Sequence, residues 1–255
     1  MTQPPLEDWW QSLYDDVVAE LFLARKDPGE LEATAAFLIR HLLLKPGDVV
    51  LDQCCGTGEV ALALARAGCR VVGVDQSARY VERARIAAAD APCEFHAADA
   101  ITFSLPGRCN AGFNWGTGFG NADDSRNLRM LRSAFETLKP GGRFALDFQH
   151  VPRVLRDFQT CLVRRHAGPG GESVVLRESR VDLAAGELAQ TWTFFLPDGR
   201  RVVRHSAVRL YLPHALGELM RAAGFVGLSY HGGLGGEALG LDSPRCVVVG
   251  VRPGG

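Results

Sequence analysis

The feature that most constrains the fold is a regular alternation of apolar and helical stretches between residues 49 and 148. Short apolar runs bounded by turn residues are typical of buried strands. Such runs occur over 49–54, 71–75, 94–99, 111–115 and 143–148. Helices are predicted between them, over 59–67, 77–90 and 128–138. Strands and helices that alternate in this way pair in parallel through right-handed crossovers. The sequence therefore predicts a doubly wound α/β sheet with helices on both faces.

Two further helices are predicted before this region, over 6–24 and 30–44. The Asp-Pro-Gly sequence at 27–29 separates them, because proline and glycine interrupt a helix. The second helix has apolar residues at helical spacing, which favours packing against the sheet. Two roles stay open for the first helix, either a lid over a binding site or plain packing.

Beyond residue 148 the pattern changes to three β-prone runs, over 174–181, 188–196 and 201–210. Turn sequences separate these runs, which indicates antiparallel hairpins and hence a β insertion standing on the main sheet. The pattern then predicts a final helix and two strands, over 213–223, 225–230 and 246–251.

We interpret the chain as one domain in four parts. These are the N-terminal helices (1–46), a core (47–150), the β insertion (172–211) and the C-terminal part of the sheet (212–255).

Composition and charge disfavour several classes of function. Hydrophobic residues make up 47% of the chain and charged residues 22%, which is typical of a folded domain rather than a disordered one. The net charge of −1 gives no general attraction to nucleic acid or to an anionic membrane. Seven cysteines without a Cys-x-x-Cys pair favour neither a disulfide framework nor a zinc site. Without a signal-peptide pattern or a span of about 20 apolar residues, we expect a cytoplasmic protein with no membrane partner. The seven histidines show no metal-ligand spacing, so we expect no metal.

A glycine-containing loop at 52–59 lies where a predicted strand ends and a helix begins. Gly56 and Gly58 allow the backbone to approach a ligand closely, and the helix N-terminus offers free N–H groups. Asp75 ends the next predicted strand, 17 residues after Gly58, where a carboxylate can bind a ribose diol. Asp52 in the same loop would repel a pyrophosphate but suits an amine or sulfonium cation. A dinucleotide cofactor is therefore less favoured.

With these features the sequence resembles the class I S-adenosylmethionine-dependent methyltransferases over residues 30–148. The stretch 50–58, Val-Leu-Asp-Gln-Cys-Cys-Gly-Thr-Gly, is similar to the first motif of that family. The stretch 138–142, Leu-Lys-Pro-Gly-Gly, is similar to its turn before strand five. The resemblance implies S-adenosylmethionine as the cofactor and a seven-stranded sheet whose final strand is antiparallel. It also implies that the N-terminal helices and the β insertion determine acceptor specificity.

The resemblance further implies roles for single residues. The residues expected to cradle the methionine part of the cofactor are Asp52, Cys54, Gly56, Thr57 and Gly58. Asp75 is expected to hold the ribose hydroxyls, with Gln76 beside the adenine. Asp99 and Ala100 match the segment whose acid meets the adenine amino group. The end of the fourth strand, where the methyl group reaches its acceptor, is Asn114 and Trp115.

Three more residues are candidates for the acceptor site. Tyr14 resembles the N-terminal tyrosine that closes over the cofactor in N-methyltransferases acting on amino sugars, with simple helix packing as the alternative. Phe119 lies in a glycine-rich loop after strand four, and is either a wall of the acceptor pocket or an ordinary loop aromatic. His150 follows strand five at the carboxyl edge, where ligands bind in open α/β sheets. It is our first candidate for a base, ahead of His205 and Glu178 on the β insertion and His214 at the start of a helix, and a structural role stays open for each of them.

The predicted activity is methylation of a small molecule in natural-product metabolism, with an amine nitrogen as the acceptor. An amine needs only to arrive uncharged, whereas a hydroxyl or carbon acceptor generally needs a base or a metal. The alternatives are O- or C-methylation, a peptide or protein N-terminus as acceptor, and a module that binds the cofactor without turnover. A nucleic acid substrate is disfavoured, because Asn114 is not followed by the two prolines typical of base methyltransferases. A homo-oligomer is left open.

Overall fold

The computed structural model describes residues 8–18, 21, 27–116, 118–168 and 170–254. Its strands are β1 (Val49–Gln53), β2 (Arg70–Asp75), β3 (Cys93–Ala97), β4 (Cys109–Asn114), β5 (Leu138–Phe148), β6 (Cys161–Gly168), β7 (Gly171–Asp182), β8 (Glu187–Phe195), β9 (Arg201–Arg209), β10 (Val226–His231) and β11 (Cys246–Val251). Its helices are α1 (Trp10–Leu13), α2 (Asp16–Val18), α3 (Pro28–Leu42), α4 (Glu59–Arg66), α5 (Ala78–Ala88), α6 (Asp124–Thr137), α7 (Val151–Arg156) and α8 (Pro213–Ala223). Among the described residues, none of these helices is long and apolar enough to cross a membrane.

Seven strands form one sheet in the order β10-β11-β5-β4-β1-β2-β3. Strands β1 to β5 pair in parallel with one another, whereas β11 is antiparallel to both β5 and β10. The predicted seven-stranded sheet with an antiparallel final strand is confirmed. The chain builds outward from β1 first to one side and then to the other. The loops after β1 and β4 therefore diverge, which opens a crevice at the carboxyl edge.

A second, antiparallel sheet contains β6, β7, β8 and β9 in that order. The predicted β insertion is thus present, but it begins with β6, before residue 172. The sequence of β6 does not predict a strand, because Arg164, Arg165 and His166 interrupt its apolar residues. Antiparallel pairing with β7 orders it instead. Helix α7 was not predicted either, and the division of the chain into four parts stays a prediction.

The predicted helix over 6–24 is interrupted where the structure describes it. Two short helices, α1 and α2, are separated by Tyr14 and Asp15, and Tyr14 has a non-helical backbone (φ −80°, ψ 70°). Part of that prediction lies outside the described residues, namely 6–7, 19–20 and 22–24. The next helix, α3, matches the predicted range 30–44 to within two residues at each end.

A hydrophobic cluster covers each face of the main sheet. On one face α6 and α8 pack through Leu131 and Leu216 against strand residues such as Phe144. On the other face α3, α4 and α5 pack against the sheet, and the cluster includes Leu38, Leu64 and Val81. The helices lie on both faces, as the alternating sequence pattern predicts.

One aromatic contact supports the loop that follows β1. Phe95 of β3 is buried, and its ring lies against both Gly73 of β2 and Gly58. A Cβ atom on Gly73 would lie 2.5 Å from the nearest ring carbon, and one on Gly58 would lie 3.1 Å from the ring. Glycine at both positions lets the ring fill the space beneath the loop.

We expect Gly73→Ala to lower the free energy of unfolding by about 1–3 kcal/mol, the usual cost of overpacking a core. The added methyl group must displace the Phe95 ring, and the Cys55 Sγ atom lies 3.0 Å from the same position. Chemical denaturation followed by circular dichroism measures the change. Gly240→Ala is the matched control, since a Cβ atom there meets nothing within 4 Å. An unchanged unfolding free energy in Gly73→Ala would contradict this packing.

Candidate active site

A cavity of about 370 Å³ lies at the carboxyl edge of the main sheet, between that sheet, the N-terminal segment and the second sheet. The main sheet, its loops and helices α4, α5 and α6 contribute Asp52, Cys54, Cys55, Gly56, Glu59, Val60, Asp75, Gln76, Tyr80, Asp99, Ala100, Ile101, Trp115, Gly116, Gly118, Asn121, Ala122 and Met130. The N-terminal segment contributes Trp10, Leu13, Tyr14 and Val18, and β8 of the second sheet contributes Trp192 and Phe194.

The loop after β1 turns sharply through three residues with left-handed backbone, Cys54 (φ 66°), Gly56 (φ 56°) and Gly58 (φ 85°). The carboxylate of Asp75 holds this loop from the neighbouring strand. Its Oδ2 accepts the backbone N–H of Gly56, and its Oδ1 accepts that of Ser77, both at 2.9 Å. The two glycines adopt positive φ readily, whereas a residue with a Cβ atom adopts it only at a cost in free energy.

Burial raises the pKa of Asp75, and the N–H groups of Ser77 and Gly56 oppose that rise by stabilising the carboxylate. A carboxylate has about four acceptor positions, so both oxygens can accept further hydrogen bonds from a ligand. Asp75 can therefore shape the loop and bind a diol at the same time.

A buried polar cluster lies behind the cavity wall. The side-chain amide of Gln53 donates to the backbone carbonyl of Met130 at 3.0 Å, and its carbonyl accepts Nδ2 of Asn114 at 3.2 Å. Asn114 is fully buried, and its Oδ1 has no hydrogen-bond partner among the described residues.

A Cβ atom on Gly118 would lie 2.5 Å from Cβ of Cys54, so glycine lets the loop after β4 pack tightly against the loop after β1.

The two cysteines of the loop are poor nucleophiles. Burial raises the pKa of the Cys54 and Cys55 thiols well above its usual value, and the nearby carboxylates of Asp52 and Asp75 raise it further. Only a thiolate attacks an electrophile, so neither thiol is suited to nucleophilic attack.

The N-terminal segment covers the cavity through contacts with two distant parts of the chain. The indole Nε1 of Trp9 donates to the carbonyl of Ala207 at 3.1 Å, and Nη2 of Arg204 lies 2.8 Å from Oδ2 of Asp15. On the other side, the hydroxyl of Tyr80 on α5 donates to the carbonyl of Asp15 at 2.8 Å. The segment thus bridges α5 and β9 of the second sheet.

The structure brings most of the predicted site residues to this cavity. Those that line it are Tyr14, Asp52, Cys54, Gly56, Asp75, Gln76, Asp99, Ala100 and Trp115. Three predicted cofactor residues are not among the lining residues, namely Thr57, Gly58 and Asn114. Gly58 is the N-cap residue before α4, and Asn114 hydrogen-bonds to Gln53 behind the loop. The individual roles stay predictions.

The two remaining candidates, Phe119 and His150, are buried and are not among the lining residues. The Phe119 ring packs against Phe148 and Tyr211, with centroid distances of 6.2 and 6.1 Å. His150 precedes α7, and neither of its ring nitrogens has a hydrogen-bond partner among the described residues. Their roles as acceptor wall and base stay predictions.

Sequence reasoning missed the aromatic wall formed by Trp10, Trp192 and Phe194. The β-prone pattern around residues 188–196 predicts a strand, but it does not say which face of that strand meets the main sheet. The aromatic residues themselves were the available signal, because large aromatic side chains are common in ligand pockets.

Comparison with known proteins identifies the region that forms this site. A family model described as a methyltransferase domain matches residues 50–142. The curated 2-phytyl-1,4-naphtoquinone methyltransferase of Synechococcus elongatus is 34% identical over 134 residues, which cover 49% of this chain and 57% of that protein. The chain thus spans little more than half the length of this relative.

Solved structures share the fold over nearly the whole chain. The CcbJ methyltransferase from Streptomyces caelestis matches with a TM-score of 0.76 and 22% identity, covering 95% of this chain and 98% of that one. S-adenosylmethionine-bound CalS10, an amino pentose methyltransferase from Micromonospora echinaspora, matches with a TM-score of 0.69 and 17% identity, covering 99% and 100%. At these identities the likeness shows the fold alone.

The residues of the cavity fit S-adenosylmethionine, which the sequence motifs predict as the cofactor. The cavity is lined by the carboxylates of Asp52, Asp75 and Asp99, and ionised carboxylates suit a ligand with a cationic amine and a ribose diol. The sharp turn of the loop supplies a close backbone approach beside them. Residues 50–142, which supply most of the cavity lining, are thus the part of the chain that matches the methyltransferase domain model.

Proposed function

We propose that the protein methylates a small molecule with S-adenosylmethionine as the donor, and that the acceptor atom is an amine nitrogen. The observation that carries the proposal is one cavity with two kinds of wall. Carboxylates at the ends of parallel strands form one wall, and aromatic side chains from the covering segments form the other. Such a cavity suits a polar cofactor beside a less polar acceptor.

In this proposal each carboxylate binds a different part of the cofactor. Asp75 accepts hydrogen bonds from the ribose hydroxyls, and Asp52 lies near the amine of the methionine part. Asp99 binds the adenine amino group, and the backbone N–H of Ile101, 2.9 Å from its Oδ1, orients its carboxylate. Gln76 lies beside the adenine, and Tyr14 closes the site from the N-terminal segment.

The covering of the cavity supports a small acceptor over a peptide or protein N-terminus. The N-terminal segment is attached to both α5 and β9 and so spans the cavity, where it contributes Trp10 to the aromatic wall. Trp10 and Trp192 provide flat surfaces on which a ring or a cationic amine can pack. An extended peptide would have to displace this segment.

The chain has a limited chemical task in this reaction. When bound, S-adenosylmethionine supplies an electrophilic methyl group on a sulfonium. The protein aligns the acceptor with that methyl group and excludes water, which is how oriented binding accelerates a displacement. An amine acceptor must be uncharged when it attacks. His150 stays the candidate for accepting its proton, from a buried position outside the cavity lining.

O- and C-methylation are the alternative outcomes, and one relative is named as a quinone methyltransferase. Amine methylation is preferred because it makes the smallest demand on acid–base groups in the cavity. A module that binds the cofactor without turnover is a further outcome of the tests below. The cytoplasmic location stays a prediction.

The first test concerns the cofactor and its pH dependence. The ionised form of Asp75 is the acceptor, and burial holds the pKa of Asp75 above its ordinary value. Affinity for S-adenosylhomocysteine should therefore be constant at neutral pH and fall as the pH decreases through that raised pKa. Asp75→Asn should weaken binding by about 10–100-fold at neutral pH, the loss expected for hydrogen bonds to a charged group. It should also remove the pH dependence. Isothermal titration calorimetry measures both effects.

Asp90→Asn is the control for this test, since Asp90 is an exposed carboxylate just after α5 and lies outside the cavity lining. It should bind like the wild type at every pH. Failure of the wild type to bind S-adenosylmethionine and its demethylated product would refute the proposed function. A pH dependence that persists in Asp75→Asn would assign the titration to another group.

The second test concerns the acceptor. Incubation with methyl-labelled S-adenosylmethionine and a metabolite extract should place label in small molecules, and mass spectrometry should locate it on nitrogen. With the acceptor in hand, Trp192→Leu should raise its KM by about tenfold, since it removes an aromatic contact worth about 1–1.5 kcal/mol. Cofactor affinity should not change. Phe195→Leu is the control, because Phe195 is 43% exposed on the same strand. Label found only on peptides, on oxygen or on carbon would refute amine methylation of a small molecule.

The third test concerns His150. If its imidazole takes the proton of the acceptor, His150→Gln should lower kcat by about 10²–10⁴ near neutral pH, the usual contribution of a general base. Cofactor affinity should be retained. His214→Gln, an exposed histidine at the start of α8, is the control. Wild-type turnover in His150→Gln would show that the acceptor needs no base from this residue.

A further inference from the structure

Arg245 precedes β11 directly and lies behind the loop that follows β4. Its Nη2 donates to Oε1 of Glu30 at 3.0 Å, and its Nη1 lies 3.6 Å from Oδ1 of Asp147. Its guanidinium carbon is 5.3 Å from the centre of the Trp115 ring, within the range of a cation–π contact. One side chain therefore contacts α3, the end of β5 and the cavity wall.

A second connection reaches the same part of the wall through Asp147. Its Oδ2 accepts the backbone N–H of Gly116 at 3.1 Å. Its side chain is only 9% exposed, and a buried carboxylate requires compensating charge. Arg245 supplies that charge, so it acts on Gly116 through Asp147 and on Trp115 directly. Trp115 and Gly116 both line the cavity.

Helix α3 supports Trp115 from another side. The Phe37 ring lies 5.7 Å from the Trp115 ring, centre to centre. Glu30, the hydrogen-bond partner of Arg245, lies on the same helix. The Trp115 indole thus contacts both α3 and the Arg245 guanidinium, and these two are joined by the hydrogen bond between Arg245 and Glu30. Such a double support restricts the movement of a side chain more than either contact alone.

We propose that Arg245 is a positioning residue, which holds Trp115 and Gly116 in the arrangement that the transfer of the methyl group requires. The link to methyl transfer rests on the proposed function, whereas the ordering of the two residues does not. Arginine suits this task because its planar group can stack on an indole while it donates a hydrogen bond to one carboxylate and forms an ion pair with another. A lysine ammonium is a single point of charge and cannot make all three contacts together.

The test combines a structural readout with a kinetic one. In Arg245→Met, hydrogen exchange of the Gly116 amide, followed by NMR, should accelerate by about tenfold, since its hydrogen bond to Asp147 loses its support. Affinity for S-adenosylhomocysteine should stay close to the wild-type value, because Asp75 and Asp99 are untouched. Transfer of label should show a lower kcat. Arg156→Met is the matched control. Arg156 lies on α7 and forms an exposed ion pair with Asp242, which belongs to the same β10–β11 loop as Arg245.

Arg245→Lys keeps a positive charge near Asp147 and carries the test if Arg245→Met does not fold. It should keep most of the stability, yet show faster Gly116 exchange and a lower kcat than the wild type. If the Arg245 variants show Gly116 exchange and kcat like those of the wild type, the inference is overturned. It is also overturned if Arg156→Met changes both quantities as much as the Arg245 variants do. A wild type that binds the cofactor but transfers no label would instead overturn the proposed function, and the exchange data would still decide the role of Arg245 in ordering the loop.

Discussion

The hydrogen bond between the Asp75 carboxylate and the backbone N–H of Gly56 is the contact on which the cavity depends. It ties the loop after β1 to the end of β2, and the parallel pairing of these strands brings the two together at one edge. It also gives a partner to an N–H group in a left-handed turn. The Phe95 ring supports the same loop from below. Asp75 is therefore a structural and a cavity-facing residue at once, and burial in the first role raises its pKa.

The acceptor side of the cavity is built by a different means. Among the described residues, the N-terminal segment forms the two short helices α1 and α2. Contacts with α5 and with the second sheet fix its position. Asp15 is the centre of this arrangement, since its carbonyl and its carboxylate bind opposite sides of the cavity. The segment is held by polar contacts at Asp15 and Asp16 and by burial of apolar residues such as Trp9 and Leu13 against the second sheet. The site thus combines a cofactor side built on the main sheet with a cover that two separate parts of the chain hold in place.

Much of the cofactor side could be predicted because strand ends are visible in the sequence. Asp52, Asp75 and Asp99 each follow an apolar run, and carboxyl ends of parallel strands meet at one edge. The aromatic wall could not be predicted, because the side of β8 that carries Trp192 and Phe194 becomes the inner one only when the second sheet docks. Phe119 is a different case. The sequence shows that it lies in a glycine-rich loop, but only the structure shows that its ring is buried against Phe148 of the core.

The sequence by itself determined the order of strands and helices, the turn at Gly56 and Gly58, and the acids at the strand ends. These properties are local, since they follow from periodicity, backbone freedom and position in the chain. Only the tertiary structure decided which side chains close the cavity and which residues support Trp115. Those outcomes depend on contacts between segments about 200 residues apart, such as Trp9 with Ala207 and Glu30 with Arg245. No local pattern encodes such a pairing, because the energy that selects it arises only when the two surfaces meet.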